Sequence, residues 1–280
     1  SIVYLNGYLY LCNRYLNTNR TIIWQLNTTL DNDPPVIFVS DIDYPAIDGV
    51  LSITTDYVSA IYMANINTPN VLIRADVDNS TTPPSLISVR SKNLNNQTTE
   101  LAEGIISPSG ISYTNYSTLS DGHLLITDFN GGDYPDVSGI IWDVAGVDDD
   151  AAWDPSAPAL FLYANTYTGT GKYINVPKSV NGIYADPKSY NIYLTLAGTN
   201  TFVRYNYNKP SGPTGPKITN IGNGTSLANI TKLQNTLYTL NYAEISVLYS
   251  VTYPTVNRVS SKQVYPLAAN YNSGFIIQYN

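Results

Sequence analysis

Apolar and β-branched residues come in short bursts along this chain, and Gly, Pro, Asn and Asp separate them. Tyr8-Leu-Tyr-Leu-Cys12, Ile22-Ile-Trp-Gln-Leu26, Val71-Leu-Ile-Arg-Ala75 and Leu86-Ile-Ser-Val89 are typical. Bursts this short, flanked by turn formers, read as β-strands joined by hairpins, because a pleated strand accommodates β-branched and aromatic side chains well. No stretch sustains a 3.6-residue period for the roughly ten residues that an amphipathic helix needs. An all-β chain is predicted.

The bursts also repeat in order. Leu9-Tyr10-Leu11, Ile61-Tyr62-Met63, Leu124-Leu125-Ile126, Ile192-Tyr193-Leu194 and Leu237-Tyr238-Thr239 align as the second strands of five units. Third strands follow at Ile22, Val71, Ile140, Phe202 and Val247, and more variable fourth strands at Val36, Leu86, Leu160, Ile218 and Arg258. New units open near Gly49, Gly110, Gly182 and Ser226. Four antiparallel strands per unit is the arithmetic of a β-propeller blade. The second strands are spaced by 52, 63, 68 and 45 residues, against the ~40–50 of an ordinary blade. Either 91–103 and 145–157 are insertions, or a further blade hides in the long steps. The expectation is one β-propeller domain over 1–280, with five blades. A sixth, assembled from residues 1–5 and the strand-like tail 274–279, is the alternative that would close the ring.

One blade is spelled out most fully. It runs Gly182-Ile-Tyr-Ala-Asp186-Pro-Lys-Ser-Tyr-Asn-Ile192-Tyr-Leu-Thr195, then Thr201-Phe-Val-Arg-Tyr-Asn206. Gly182, Asp186, Pro187, Ile192, Tyr193, Leu194, Thr195, Val203, Arg204 and Tyr205 match the blade pattern of the NHL and YVTN-type propellers, and 181–206 resembles that family, which includes surface-layer and gluconolactonase-like members. The resemblance implies the propeller fold. The other units keep the hydrophobic rhythm and lose the polar marks.

Composition narrows the function classes. Charged residues are only 12%, and Tyr outnumbers Phe by 25 to 5. A net charge of −7 disfavours a phosphate-backbone partner, so nucleic acid is not expected. No apolar run reaches the ~18 residues of a membrane span. Cys12 is the only cysteine, which excludes an intrachain disulfide, and in its apolar run it reads as a buried, inert thiol. Scarce Lys and Glu with a pI near 4.5 fit a protein exposed to acidic surroundings. Few ionised pairs would then be lost as pH falls. Asn-Gly pairs at 6, 130, 181 and 223 are deamidation sites that mild acid would spare. Glycosylation sequons occur at Asn19, Asn27, Asn79, Asn96, Asn115, Asn223 and Asn229. Chance alone gives about six from the Asn, Ser and Thr content, so they permit glycosylation without arguing for it.

Candidate chemistry rests on few residues. His123 is the sole histidine, no Gly-x-Ser-x-Gly elbow accompanies it, and a structural role fits it best. Asp56, Asp128 and Asp186 lie near strand-to-strand turns of three blades. Converging on a channel, they would suit a Ca²⁺ site or the acid/base set of a glycosidase; Asp before a turn is equally a plain turn former. Asp148, Asp149 and Asp150 are weak metal candidates and otherwise a solvated acidic loop. No cofactor is expected. Trp153, in that polar loop, must pack or bind something. Tyr242, Tyr253 and Tyr271 belong to clusters with Tyr205, Tyr207, Tyr238, Tyr249, Tyr265 and Tyr279 that suit contact with proteins or glycans. The expected function is an extracellular, non-enzymatic module of a cell surface, appendage or virion, with surface proteins or glycans as partners. The rival is a secreted propeller enzyme acting on glycans or lactones through Asp56, Asp128 and Asp186.

Overall fold

A computed structural model of the chain describes residues 1–15, 20–28, 34–96, 104–115, 122–128, 140–164, 180–196, 201–207, 227–233, 236–241, 248–252 and 255–259. Two compact bodies divide it, one of Ser1–Ile126 with Trp142–Tyr163, the other of Thr127–Ile141 with Ala164–Asn280.

The first body begins with a four-stranded antiparallel meander, β1 (Ile2–Leu5), β2 (Tyr8–Tyr15), β3 (Arg20–Asn27) and β4 (Val36–Ser40). Residues 1–5 therefore do not stand apart as material for a sixth blade. They form the first strand of the first blade, paired Leu5 to Tyr8 through Ile2 to Leu11. The turn makes this pairing: Asn6 and Gly7 both have positive φ, 50° and 86°, the two-residue geometry whose twist matches that of the flanking strands.

The next blade is β5 (Val50–Thr55), β6 (Ala60–Asn65), β7 (Val71–Asp78) and β8 (Ser85–Asn96). The third is β9 (Pro108–Thr114), β10 (His123–Asp128), β11 (Ile140–Ala145) and β12 (Leu160–Ala164). Both belong to one eight-stranded sheet, because β8 pairs in parallel with β12 from Leu94–Leu160 to Asn96–Leu162. Much of the expected insertion at 91–103 is thus strand: residues 91–96 continue β8 beyond the usual blade length. The other expected insertion, 145–157, is a loop carrying a short 3-10 turn at Asp150–Trp153.

Second strands lie mid-sheet and are covered on both faces. Every residue of β6 and β10 is buried, Asn65, His123, Thr127 and Asp128 at their ends included, and the stretches 60–64 and 124–126 read as unbroken apolar runs. A core of Leu5, Tyr10, Cys12, Ile23, Val50, Ile53, Ile61 and Met63 joins the first two blades. Cys12 is buried, and burial pushes its thiol pKa up, as an inert thiol requires.

The first strands β5 and β9 are sheet edges, and their outward N–H groups are capped by hydroxyls from the preceding blade. Ile53 N–H donates to Ser1 Oγ at 2.7 Å. Ile111 and Tyr113 donate to Ser52 Oγ at 3.2 Å and Thr54 Oγ1 at 3.0 Å. Residues two apart on β5 thus serve residues two apart on β9, which satisfies an edge without a ladder.

The second body holds β13 (Val180–Ala185), β14 (Asn191–Leu196) and β15 (Thr201–Asn206) in one antiparallel sheet. A four-stranded meander follows, β16 (Leu227–Leu233), β17 (Thr236–Asn241), β18 (Leu248–Thr252) and β19 (Thr255–Val259). Residues 218–221, the expected fourth strand after β15, and the tail 274–279 lie outside the described residues.

Candidate functional site

A polar residue interrupts the apolar run of four of the five third strands at one place: Gln25 on β3, Arg74 on β7, Asp143 on β11 and Arg204 on β15. In three blades it lies directly across the ladder from a second-strand tyrosine, as Tyr10–Gln25, Tyr62–Arg74 and Tyr193–Arg204. In the remaining blade His123 Nδ1 and Asp143 Oδ1 are 2.7 Å apart, both buried. Two of these pairs also reach forward. Gln25 Nε2 donates to Tyr10 Oη and to Pro84 O of the next blade, each at 2.9 Å. Arg74 reaches Val147 O at 3.4 Å, and Tyr62 Oη donates to the same carbonyl at 3.0 Å. Pro84 and Val147 both sit between the third and fourth strands of their blades. The first and second blades therefore each carry a buried polar latch to the blade that follows.

The richest latch gathers the 145–157 loop against β6 and β7. Val147 O accepts a third bond, from Trp153 Nε1 at 3.0 Å. Tyr113 Oη donates to Asp148 Oδ2 at 2.7 Å, and the Tyr62 and Tyr113 rings stack at 6.0 Å with 1° between planes. Arg74 lies 5.8 Å from the Tyr62 ring and 5.7 Å from that of Trp153, a cation–π arrangement. Asp76 receives Arg74 at 2.8 Å, Ser88 Oγ at 2.6 Å and two bonds from Arg90 at 2.9 Å. Asp150 also binds Arg90. Lys92 Nζ donates to Asp154 O at 2.6 Å and Ala157 O at 2.7 Å. Burial, and then the Asp148 carboxylate, push the Tyr113 phenol above its ordinary pKa; burial does the same at Tyr62. The hydrogen bond from Arg90 holds the Asp150 carboxyl below its ordinary value.

The candidate residues have definite places. Asp56 Oδ1 accepts N–H bonds from Val58, Ser59 and Ala60 at 2.8–2.9 Å, a turn cap. Asp186 does likewise, accepting Lys188 N–H at 3.1 Å and Ser189 Oγ at 2.8 Å. Asp128 ends β10 and is buried. Asp148 binds Tyr113, Asp149 caps the 3-10 turn through Ala151 N–H at 3.0 Å, and Asp150 binds Arg90. Among the described residues no group of three or more His, Cys, Asp or Glu side chains is placed to hold a metal. Trp153 is 1% exposed and packs against Tyr62 at 5.9 Å, so packing is what sustains it in a polar loop. Tyr205 is buried too, and burial raises its phenol to about 12. Asn79 and Asn115 are exposed, Asn27 is half-buried, and Asn96 and Asn229 lie on β8 and β16. Asn19, Asn223, Tyr242, Tyr253 and Tyr271 lie outside the described residues.

Tyr62, Arg74, Tyr113 and Asp143 were not singled out as site residues from the sequence. The signal was present, a charged or amide residue inside an otherwise apolar third strand, because burying such a group requires a partner.

No protein-family model and no curated protein matches the sequence. Solved structures do. A chain in the crystal structure of a nidogen/laminin complex aligns with a TM-score of 0.52 at 14% identity, over 88% of this chain and 71% of that one. The chain is a β-propeller. A second match, the Dos1 propeller, has a TM-score of 0.47 at 12% identity, over 88% of this chain and 52% of that one. At these identities the likeness is one of fold, which is also the level at which 181–206 resembles NHL and YVTN-type blades. Among the described residues no helix is long and apolar enough to cross a membrane.

Proposed function

We propose that this propeller is an extracellular, non-enzymatic module that serves structure, adhesion or recognition on a cell surface, appendage or virion, with proteins or glycans as partners. The observation that carries this reading is how its acidic residues are used. Asp56 and Asp186, on which the enzyme reading depends, cap turns with three and two donors respectively. A carboxylate committed to holding its own turn is poorly placed to act as general acid or base. Support also comes from the fold likeness to a chain found within a nidogen/laminin complex.

Native-source purification with intact-mass measurement and chemical cross-linking tests the proposal. Companion proteins or glycans recovered with the chain are expected. The alternative, a secreted enzyme acting on glycans or lactones, draws on Asp128, a carboxylate that is 0% exposed. Turnover of a glycan or lactone panel, abolished by Asp128→Asn without loss of folding, would replace the module reading with the enzyme.

A further inference from the structure

Four aromatic rings make a continuous series in the first body. Trp153, Tyr62, Tyr113 and Tyr57 follow one another at centroid distances of 5.9, 6.0 and 6.4 Å. Trp153, Tyr62 and Tyr113 are at most 5% exposed, whereas Tyr57 is 51% exposed. The series therefore links a buried indole to a surface phenol through ring contacts.

Its members differ in how readily they can be oxidised. A tyrosine gives up an electron easily only if its phenolic proton has somewhere to go. Tyr113 has the Asp148 carboxylate at 2.7 Å as acceptor, whereas Tyr62 makes its shorter bond, 3.0 Å, to the Val147 carbonyl, which cannot accept a proton, and only a long 3.4 Å one to Asp148 Oδ1. Trp153 lies 5.7 Å from the Arg74 guanidinium, a fixed positive charge that disfavours an indole radical cation. An electron vacancy in this series settles on Tyr113 and its exposed neighbour.

Tyr57 is held in place at a conformational cost. Its φ is 65°, a region that a bulky side chain rarely adopts and that asks for a functional reason. The turn that imposes it is over-determined. Asp56 caps three N–H groups, and Val58 O accepts Asn6 Nδ2 at 3.0 Å and Asn79 Nδ2 at 2.7 Å.

We propose that Tyr57 is an oxidative modification site, at which one-electron oxidants of the haem-peroxidase or photosensitiser class link two copies of this chain through a dityrosine bond. The oxidant takes one electron from Tyr113 as its proton crosses to Asp148 Oδ2. Tyr57 then reduces the Tyr113 phenoxyl radical and loses its own proton to water, while Asp148 returns its proton to Tyr113. Two Tyr57 phenoxyl radicals join at carbons ortho to oxygen, and the two ortho hydrogens move to the oxygens as the rings regain aromaticity. Per link, two protons pass to water and two electrons to two oxidant equivalents.

Photo-oxidation of the full chain by ruthenium tris-bipyridyl and persulfate, followed by peptide mass mapping, tests this. Dimers joined at the Tyr57 peptide are expected, with Trp153 unmodified. Tyr57→Phe loses the dimer; Tyr113→Phe lowers Tyr57 linkage several-fold and raises Trp153 oxidation. Unchanged dimer yield in Tyr57→Phe, or unchanged yields at both ends in Tyr113→Phe, overturns the proposal. Should Tyr113→Phe not fold, the wild-type chain decides. As buffer base is diluted, Tyr57 oxidation should hold constant while that of other surface tyrosines falls; a parallel fall overturns the proposal.

Discussion

A carboxylate packed against backbone leaves no room for a side chain there, and Gly122 shows this. Its φ is +55°, and a Cβ on it would lie within 3.0 Å of all three carboxyl atoms of Asp148. The same residue's carbonyl receives Gly146 N–H at 3.1 Å. Gly122→Ala is therefore expected to cost about 2 kcal/mol or more, part from left-handed backbone and part from displacing Asp148 from Tyr113. Urea unfolding of the pure variant checks this, and a cost near zero would show that the loop yields freely. The sequence gives Asp121-Gly-His123 no such weight, since the constraint comes from a residue that lies 26 positions further on.

Turns and strands were the most legible level. All five second strands predicted from the hydrophobic rhythm lie within β2, β6, β10, β14 and β17. In β6 and β10 every residue is buried, so the stretches 60–64 and 124–126 run without the polar alternation of a half-exposed strand, hence their clarity. The β1–β2 hairpin does not show in the hydrophobic rhythm, although Asn6-Gly7 is a direct local sign of it. Within the β5–β6 turn, Asp56→Ala removes the one oxygen that accepts three N–H bonds and should cost about 1–2 kcal/mol, read from the shift in thermal midpoint. An unchanged midpoint would mean that Asn6 and Asn79 hold the turn alone. The 145–157 loop has its own pH response. Asp150 and Asp154 are held below the ordinary carboxyl pKa by hydrogen bonds from Arg90 and Ser156 respectively. Their contribution is thus present above about pH 4 and lost as pH falls through the lowered values. Hydrogen exchange in this loop, taken relative to the intrinsic rate of each amide at the same pH, should stay flat from neutral to mildly acidic pH and rise only below that point. A rise already near neutrality would assign the response to another group.

For the molecule as a whole, fold was readable because a repeated pattern states itself several times, whereas the latches were not, because each depends on a partner in another blade. The hydroxyl caps on first strands belong to this class. Thr54→Val keeps the shape of β5 and leaves Tyr113 N–H without its acceptor, which should cost about 1–3 kcal/mol. Equal stability of variant and wild type by urea titration would show that water replaces the hydroxyl. The parallel splice of β8 to β12 has a different outcome. Main-chain bonds tie the second and third blades at their rims, while among the described residues the first blade is stitched to the second by side chains. When heat or mechanical load peels the protein apart, the first petal should come away singly and the next two together. Amide protection along β6 and β10 should then decay at matching rates, with β2 exchanging sooner.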